Sequence, residues 1–341
     1  MTTHNKKKVT LKDVADSANV SISTASRALK GARGISEPVN ARVRQIAEEL
    51  GYTIIGQLDV EVTILSTMNI TEVGQVEFIQ GLMHGIEQTC KELNIKPTIS
   101  MVGSGQKAAD LPVFKRQKQA CLLLSFHDNQ LIDALCTNNI PAFIVNGFDP
   151  MMRLPAVAPA NLMGGRLAVE HLIGLGHQRI LNLTYPDRVT ICQRLAGFKQ
   201  GLAEAGLNYN SELVIDLEAM RTDVAYSVIK DYLSKHSSLN FTAVQCCNDS
   251  VALGVMAALT EAGYRIPGDV SVIGFDDIST AAMAMPSLST IHAEREAMGA
   301  WAVRRLLDTV QNGEGAVHTY TEMAVRLVER GSTGPTAKSG V

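Results

Sequence analysis

The chain has 341 residues, of which 46% are hydrophobic and 19% are charged, and its formal net charge is −3. This length exceeds what one hydrophobic core usually supports, so the sequence predicts two or three globular domains. No apolar run reaches the roughly 18 residues that a membrane-spanning helix needs. The basic start MTTHNKKK is not followed by the apolar stretch of a secretory signal. We therefore expect a cytoplasmic protein without a membrane partner.

Charge is distributed unevenly along the chain. Residues 1–52 hold nine Lys and Arg against five Asp and Glu, a balance of +4, and the remaining residues carry −7. A basic module joined to an acidic body indicates that only the N-terminal end meets a polyanion. Charge alone leaves DNA, RNA and a membrane surface open as that polyanion.

Residues 9–52, which follow a basic arm at 1–8, show the pattern of three short helices. The first helix carries four apolar residues on one face: Leu11, Val14, Ala15 and Ala18. After a tight turn, Ser21 is a favourable N-cap for a second helix over 22–30, and Pro38 lies in the first turn of a third. This arrangement predicts a helix-turn-helix unit.

The second predicted helix carries the side chains that nucleic-acid recognition uses. Its hydroxyls and its arginine can bond phosphates or base edges, and its exposed isoleucine can touch a thymine methyl group. A three-helix protein-binding bundle is the alternative interpretation of the same pattern. The basic arm, together with Ser, Thr and Arg on the presented helix, favours DNA.

The run VTLKDVADSANVSISTASRALKG at 9–31 resembles the N-terminal signature of the lactose/galactose repressor (LacI/GalR) family. The resemblance implies operator contacts, mainly to the DNA backbone, from five residues: Thr10, Ser21, Thr24, Ser26 and Lys30. It also implies that Ile22 and Ser23 discriminate between bases and that Tyr52, at the end of the third helix, approaches the DNA. We complete the predicted DNA interface with three further residues: Leu11, Arg27 and Ser36.

The linker after Tyr52 departs from the family pattern. In that family a hinge segment becomes helical on the operator and wedges a leucine pair into the minor groove. Here only TIIGQLD, residues 53–59, precedes the strand-like run at 60–65, without the family's proline and Ala-Arg pair. Leu58 is the one candidate wedge, although capping the core of the first strand is the simpler interpretation. Since inserted side chains kink DNA, we expect weak bending of the operator.

Residues 60–330 alternate β-branched runs with amphipathic helices. Seven runs have strand character: 60–66, 98–102, 120–126, 142–146, 179–184, 242–247 and 270–275. The helical stretches between them include 76–92, 163–175, 194–205 and 249–262. Such alternation predicts two parallel doubly wound sheets, in two similar lobes near 60–150 and 160–280. The small, polar tail at 331–341 is expected to be disordered.

Polar residues follow the last three predicted strands of this body. Arg194 opens a helix, Asn248-Asp249 starts another, and Asp276-Asp277 ends the strand at 270–275. Ligands of open α/β sheets bind beyond the carboxyl ends of the strands, which here means a cleft between the lobes. A guanidinium, an amide and a carboxylate suit a polyhydroxylated ligand. Each residue also has a plainer explanation, because Asp and Asn favour helix caps and turns.

Six further runs resemble the same family, in family order: HLIGLGHQRI (171–180), RLAGF (194–198), CNDSVALG (247–254), IPGDVSVIGFDD (266–277), PSLSTI (286–291) and RLVERGST (326–333). The resemblance implies a periplasmic-binding-protein-like body in which Arg194, Asn248 and Asp276 contact the effector. The first lobe, especially 66–80 and 103–128, departs from the family. This departure leaves the identity of the effector open, because that half of the pocket sets it. The resemblance implies a sugar or related metabolite, with a nucleoside or purine as the alternative.

Motifs of catalysis and of cofactor binding do not occur in the sequence. There is no GxGxxG opening a helix, no phosphate loop and no GxSxG turn, and the six cysteines lack zinc-site spacing. His171 and His177 lack a third metal ligand in the sequence. We therefore expect a homodimeric repressor on a pseudopalindromic operator, without enzyme activity, metal or cofactor. A stand-alone metabolite-binding protein and a sugar- or nucleotide-processing enzyme are the rival hypotheses.

Overall fold

The computed structural model describes seven stretches of the chain: residues 9–29, 34–50, 60–66, 76–103, 106–125, 128–313 and 317–336. They belong to two compact units, of which the first comprises the residues up to Glu61 together with Cys90–Lys96, and the second comprises the rest. The predictions for the N-terminal arm, Lys30, Tyr52 and the linker at 53–59 lie outside these stretches. Among the described residues, no helix combines the length and apolar character that crossing a bilayer requires.

Three helices form the headpiece: α1 (Leu11–Ser17), α2 (Ile22–Leu29) and α3 (Glu37–Leu50). Their common core consists of eight buried side chains: Val14, Ala15, Ala18, Ala25, Ala28, Leu29, Val43 and Ala47. Most of these are alanines, and short side chains let the helices approach closely. The predicted inward faces of α1 and α2 are confirmed, with Leu11 partly buried at the edge of the core.

Local sequence fixes the starts of α1 and α2. Thr10 Oγ1 accepts a hydrogen bond from Asp13 N at 3.2 Å, and Asp13 Oδ2 accepts one from Thr10 N at 2.7 Å, which is a capping box. Ser21 Oγ accepts from Thr24 N at 3.0 Å, so the predicted N-cap is confirmed. In the turn between the helices Asn19 has a φ of 50°, a left-handed conformation that asparagine tolerates.

The first lobe of the body is built on a six-stranded sheet. In chain order its strands are β1 (Glu61–Ser66), β2 (Thr98–Met101), β3 (Gln119–Leu124), β4 (Ala142–Val145), β5 (Ala156–Pro159) and β11 (Tyr320–Met323). In space they follow the order β11-β5-β4-β3-β1-β2, and β1/β2, β3/β4, β4/β5 and β5/β11 pair in parallel. The helices of this lobe are α4 (Val76–Glu92), α5 (Asn129–Thr137) and α11 (Arg295–Asn312).

The second lobe has a four-stranded parallel sheet. Its strands are β6 (Ile180–Thr184), β7 (Val214–Asp216), β8 (Ala243–Cys246) and β9 (Ser271–Ile273), in the spatial order β7-β6-β8-β9. Its helices are α6 (Asn161–Gly174), α7 (Val189–Glu204), α8 (Thr222–Lys235), α9 (Asp249–Glu261) and α10 (Ser279–Met283). A buried aliphatic core packs this sheet against α8 and α9.

The chain passes between the lobes three times, after β5, after β10 (Thr290–Ala293) and after β11. Strand β10 pairs antiparallel with β12 (Val325–Val328). The two parallel sheets of the prediction are confirmed. The first lobe, however, is completed by α11 and β11, which the expected contiguous boundaries did not include. Hydrophobic periodicity shows that these segments are helix or strand but not which sheet they join.

One helix begins earlier than the sequence predicts. The helix expected at 194–205 is α7, which starts at Val189, so Arg194 lies in its second turn and does not open it. The first turn contains Val189, Thr190 and Ile191, and β-branched residues are poor helix formers. The residue pattern there therefore resembles a loop or strand more than a helix.

The expectation of a disordered tail from residue 331 is wrong for 331–336. Ser332 is fully buried, and its Oγ donates to Val272 O at 2.6 Å and accepts from Ser289 N at 2.8 Å. Thr336 N donates to Leu175 O at 3.0 Å. The small polar residues that suggest solvation instead satisfy backbone groups of the second lobe. Residues 337–341 lie outside the described part of the chain.

Candidate DNA interface and ligand cleft

The N-terminal half of α2 presents several of the predicted DNA-binding residues to solvent. Ile22 is 49% exposed although its side chain is large and apolar. Ser21, Ser23 and Arg27 are exposed, whereas Thr24 is half-buried. An exposed aliphatic side chain next to hydroxyls and a guanidinium can make apolar and polar contacts to base edges and phosphates.

The hydroxyls at the start of α2 form a local cluster. Ser21 Oγ lies 3.0 Å from Ser23 Oγ and 2.8 Å from Thr24 Oγ1. Each hydroxyl can both donate and accept, so the cluster can exchange these internal bonds for bonds to a phosphate. The partial positive charge of a helix N-terminus favours an anion at the same place.

The remaining predicted DNA residues lie at the other helix starts or within α2. Thr10 is exposed and caps α1, whereas Leu11 is partly buried against the core. Ser26 is half-buried on α2. Ser36 is exposed, and its carbonyl accepts from Val39 N and Asn40 N just before α3. Lys30 and Tyr52 are not among the described residues.

In the body, the three predicted ligand residues come together. Arg194, Asn248 and Asp276 line one cavity, which we call the ligand cleft. Five more residues complete its lining: Phe78, Asn146, Arg188, Ile191 and Met220. The cavity measures about 20 Å³, room for about one water molecule. In this structure the cavity is therefore too small for a metabolite of the size of a sugar.

Arg194 is held by the neighbouring helix α6 and by the segments that follow β8 and β9. Its Nε donates to Asn161 Oδ1 at 2.9 Å and its Nη1 to Cys247 O at 2.5 Å. Its Nη2 donates to Asp276 Oδ1 at 3.3 Å. The guanidinium also lies 3.4 Å from the centre of the Phe275 ring, a favourable cation–π distance. The orientation of the fork is thus fixed by the protein.

Asp276 has a strained backbone. Its φ is 115°, and that of Asp277 is 54°, values that residues with a side chain rarely adopt. Burial raises the pKa of Asp276, whereas the positive charges of Arg194, Arg295 and Arg188 oppose that shift. Such strain persists where surrounding contacts enforce it, often at functional sites.

Asn248 has two roles, whereas Asp249 has a purely internal one. Asn248 Oδ1 accepts from Val251 N at 2.8 Å and so caps α9, while the residue also lines the ligand cleft. Asp249 does not cap the helix as the plainer explanation proposed. Its carboxylate accepts from Thr290 Oγ1 at 2.5 Å and from Ile278 N at 3.0 Å. Burial raises its pKa well above the usual value.

Sequence reasoning missed two polar residues of the ligand cleft, Arg188 and Asn146. Arg188 is 6% exposed, and burial lowers its pKa to about 10, so it stays protonated at neutral pH. Asn146 is 3% exposed; its Nδ2 donates to Ser125 Oγ at 3.0 Å, and its buried Oδ1 accepts no hydrogen bond from the described residues. Asn146 directly follows β4, so the strand-end rule that found Asp276 could have found it.

Two family descriptions match the chain. Residues 10–53 match "Bacterial regulatory proteins, lacI family", and residues 169–333 match "Periplasmic binding protein-like domain". The ribose operon repressor of Haemophilus influenzae is 30% identical over 310 residues, which cover 89% of this chain and 92% of that protein. The HTH-type transcriptional repressor PurR of Aliivibrio fischeri is 30% identical over 332 residues, covering 95% and 98%.

Solved structures resemble the chain over almost its whole length. The complex of the transcriptional regulator CelR with cellobiose superposes with a TM-score of 0.73 at 26% identity, covering 95% of this chain and all of the other. The Lac repressor dimer bound to operator and the anti-inducer ONPF gives a TM-score of 0.70 at 26% identity, covering 96% and 100%. The shared coverage includes both the helical headpiece and the two-lobed body.

Proposed function

Because this chain belongs to the LacI family of bacterial regulatory proteins and is a DNA-binding transcription regulator, we propose that it is a cytoplasmic repressor of a pseudopalindromic operator. A homodimer would place one headpiece on each half-site, since twofold symmetry in the protein matches twofold symmetry in the site. A metabolite in the ligand cleft controls that binding. No enzyme activity, metal or cofactor is required.

For the DNA interface, the exposed start of α2 is the observation that carries the proposal. A recognition helix enters the major groove with its N-terminal residues against the base edges. Ile22 and Ser23 occupy that position and are exposed, which supports them as the base-reading pair. Ser21 and Thr24, with their hydroxyls, and Arg27, with its guanidinium, are proposed to contact phosphates.

For the effector, the polar lining of the ligand cleft carries the proposal. Arg188, Arg194 and Asn248 can donate hydrogen bonds, while Asp276 and the Oδ1 of Asn146 can accept them. A polyhydroxylated metabolite offers both kinds of partner. Solved structures of similar regulators contain cellobiose and ribose, so we propose a sugar, a sugar acid or a nucleoside here.

The DNA part is tested by selecting genomic fragments with the purified full chain. We expect repeated enrichment of fragments that share an inverted repeat. Binding to them should exceed binding to scrambled DNA by about a thousandfold, as for specific operators in general. Enrichment without any common sequence, or none at all, would refute the proposal of an operator.

The effector part is tested by thermal unfolding with ribose, cellobiose, their aldonic acids and a set of nucleosides. At least one compound should raise the unfolding temperature of the wild type and change its affinity for the selected DNA. Asp276→Asn should lose both responses and keep the DNA affinity measured without compound. Asp276→Asn losing the DNA affinity as well would assign Asp276 a folding role and contradict the proposed ligand contact.

A further inference from the structure

A second and larger cavity lies beside the ligand cleft. It measures about 500 Å³, and Asp277 lines it, whereas the preceding residue Asp276 lines the ligand cleft. Five residues that line this cavity either form the contacts between the two lobes or hold a partner of those contacts, and we call them the interlobe cluster: Glu77, Asp277, Ser279, Arg295 and Arg330.

Glu77 connects the first lobe to the second. It belongs to α4, and its carboxylate Oε2 accepts hydrogen bonds from Ser279 Oγ and, at 3.3 Å, from Thr280 N. Ser279 and Thr280 open α10 in the second lobe. A carboxylate at the start of a helix satisfies its free N–H groups and is favoured by its dipole.

Arg295 joins the same two segments through their carbonyls. Its Nη1 donates to Glu77 O at 3.4 Å, and its Nη2 donates to Asp277 O at 3.0 Å. The sequence makes room for this contact, because a Cβ at Gly81 of α4 would lie only 3.1 Å from the Cβ of Arg295. A Cβ at Gly85 would lie 2.0 Å from Glu296 O.

The carboxylate of Asp277 is held by Arg330, which follows β12, and by His292 of β10. Arg330 Nη2 donates to its Oδ1 at 2.5 Å, and His292 Nδ1 lies 2.7 Å from its Oδ2. Burial on its own would raise the pKa of Asp277, but the hydrogen bonds from Arg330 and His292 outweigh it and the pKa is lowered. The carboxylate is therefore ionised at neutral pH and is held by Arg330 and His292.

Each of two short segments carries one residue of the ligand cleft and one of the interlobe cluster. On α4 these are Phe78 and Glu77, and after β9 they are Asp276 and Asp277. The two aspartates are consecutive and have positive φ values. Because their strained backbone is held by contacts on both sides, a displacement of Asp276 must disturb the bonds of Asp277.

We propose that Glu77 and Arg295 are positioning residues that hold the two lobes together. The hydrogen bonds that they form between the lobes are coupled, through Asp276 and Asp277, to the state of the ligand cleft. The proposal rests on the proposed function only in assigning the cleft to an effector. Opening of the lobes breaks the Glu77 and Arg295 bonds between them, whereas the bonds of Asp277 to Arg330 and His292 stay within one side.

Hydrogen exchange of the full chain, with neither DNA nor metabolite added, tests the positioning role. In Glu77→Ala, the amide of Thr280 and those of the first turn of α4 should exchange at least about tenfold faster than in the wild type. Glu77→Gln keeps an acceptor oxygen and should restore slow exchange. Glu87→Ala, which removes an exposed carboxylate from the same helix, should match the wild type.

Two outcomes would overturn the positioning role. If the amide of Thr280 in Glu77→Ala exchanged within about twofold of the wild-type rate, the Glu77 carboxylate would not hold the start of α10 in place. Equally faster amide exchange over the whole two-lobed body would show that Glu77→Ala destabilises the protein in general and not this contact. Glu77→Gln exchanging as fast as Glu77→Ala would exclude the hydrogen-bond acceptor as the cause.

The link to the ligand cleft is tested by Asp276→Asn in the same measurement. We expect faster exchange at Thr280, and an effect in the double variant with Glu77→Ala that is smaller than the product of the two single effects. Slow exchange at Thr280 in Asp276→Asn, or independent effects, would overturn the link. Because no DNA or effector is used, this failure is distinct from failure of the fragment selection.

Discussion

Arg27 is the exposed cation of the second headpiece helix, and its contribution to DNA binding can be isolated. Arg27→Ala should weaken operator binding and lower the slope of log K against log salt by about 0.9, because one phosphate contact and its counterion release are lost. Fluorescence anisotropy over a salt series measures both quantities.

A matched control removes an exposed arginine from α3 of the same headpiece. Arg44→Ala changes the net charge equally but should leave most of the affinity and the salt slope. Equal losses in the two variants would mean that general charge attraction, and not a contact from α2, determines the binding.

His177 makes the stability of the second lobe depend on pH. It contacts Thr242 Oγ1 at 2.9 Å and Ser271 Oγ at 3.0 Å, and burial lowers its pKa. The unfolded chain therefore binds a proton below about pH 6.5 that the native state does not. This contribution to stability is complete above that pH and is lost as the pH falls towards the lowered pKa.

His177→Gln should accordingly lose less stability than the wild type when the pH falls from about 7.5 to about 5.5. Urea unfolding at both values gives the difference between the two proteins. The two proteins must be compared with each other, because the raised pKa of buried Asp249 changes stability with pH in the opposite direction in both the wild type and the variant. The same loss in both proteins would contradict the assignment to His177.

At the scale of elements, α6 and α7 pack so closely that only a glycine at position 165 leaves room for the backbone carbonyl of Arg194. A Cβ at Gly165 would lie 2.1 Å from Arg194 O. Gly165→Ala should therefore destabilise the body by about 1–3 kcal/mol, as overpacking of a core does. Gly174, on the same helix, has nothing within 4 Å of such a Cβ, so Gly174→Ala should be neutral or slightly stabilising. Destabilisation of similar size in both would refute the crowding argument.

The segment at 331–336 behaves as part of the second lobe. Removal of residues 331–341 should lower the unfolding free energy by several kcal/mol, at about 1 kcal/mol for each buried hydrogen bond lost. Removal of 337–341 alone serves as the control and should leave stability within about 0.5 kcal/mol of the wild type. Calorimetry of the two truncated chains measures the difference. Equal stability of the two chains would show that residues 331–336 contribute nothing to the stability of the second lobe.

Sequence periodicity predicts elements well where one face is buried. The helix at 76–92 has the predicted bounds, and strands such as β1 and β6 lie within one residue of prediction. The ligand cleft was partly predictable, because Asn248 and Asp276 follow the strand ends of β8 and β9, although Arg194 lies in the second turn of α7. Arg188 was not, since it precedes a helix turn whose β-branched residues do not look helical.

Contacts between distant segments could not be predicted from local pattern. The Glu77–Ser279 pair is separated by 202 residues, and Ser332 meets Val272 only because the chain returns to the second lobe after β11. Their side chains are ordinary surface types in the sequence. Only the crossing of the chain between the lobes brings them together.

At the scale of the whole molecule, regulation requires an effector that distinguishes two states of the body. A compound that binds open and closed lobes equally shifts nothing. Under the proposed function the ligand cleft would meet this requirement, because its volume of about 20 Å³ in this structure is too small for a sugar. The effector must then change the affinity for the operator by the same factor by which the operator changes the affinity for the effector, since coupling is reciprocal.

The measurement that tests this account most directly is the affinity of the full chain for its selected genomic fragment, with and without the metabolite that stabilises it. We predict a clear preference for the fragment over scrambled DNA and a change in Kd of at least about fivefold on adding the metabolite. Equal affinity for fragment and scrambled DNA, unchanged by the metabolite, would contradict the account.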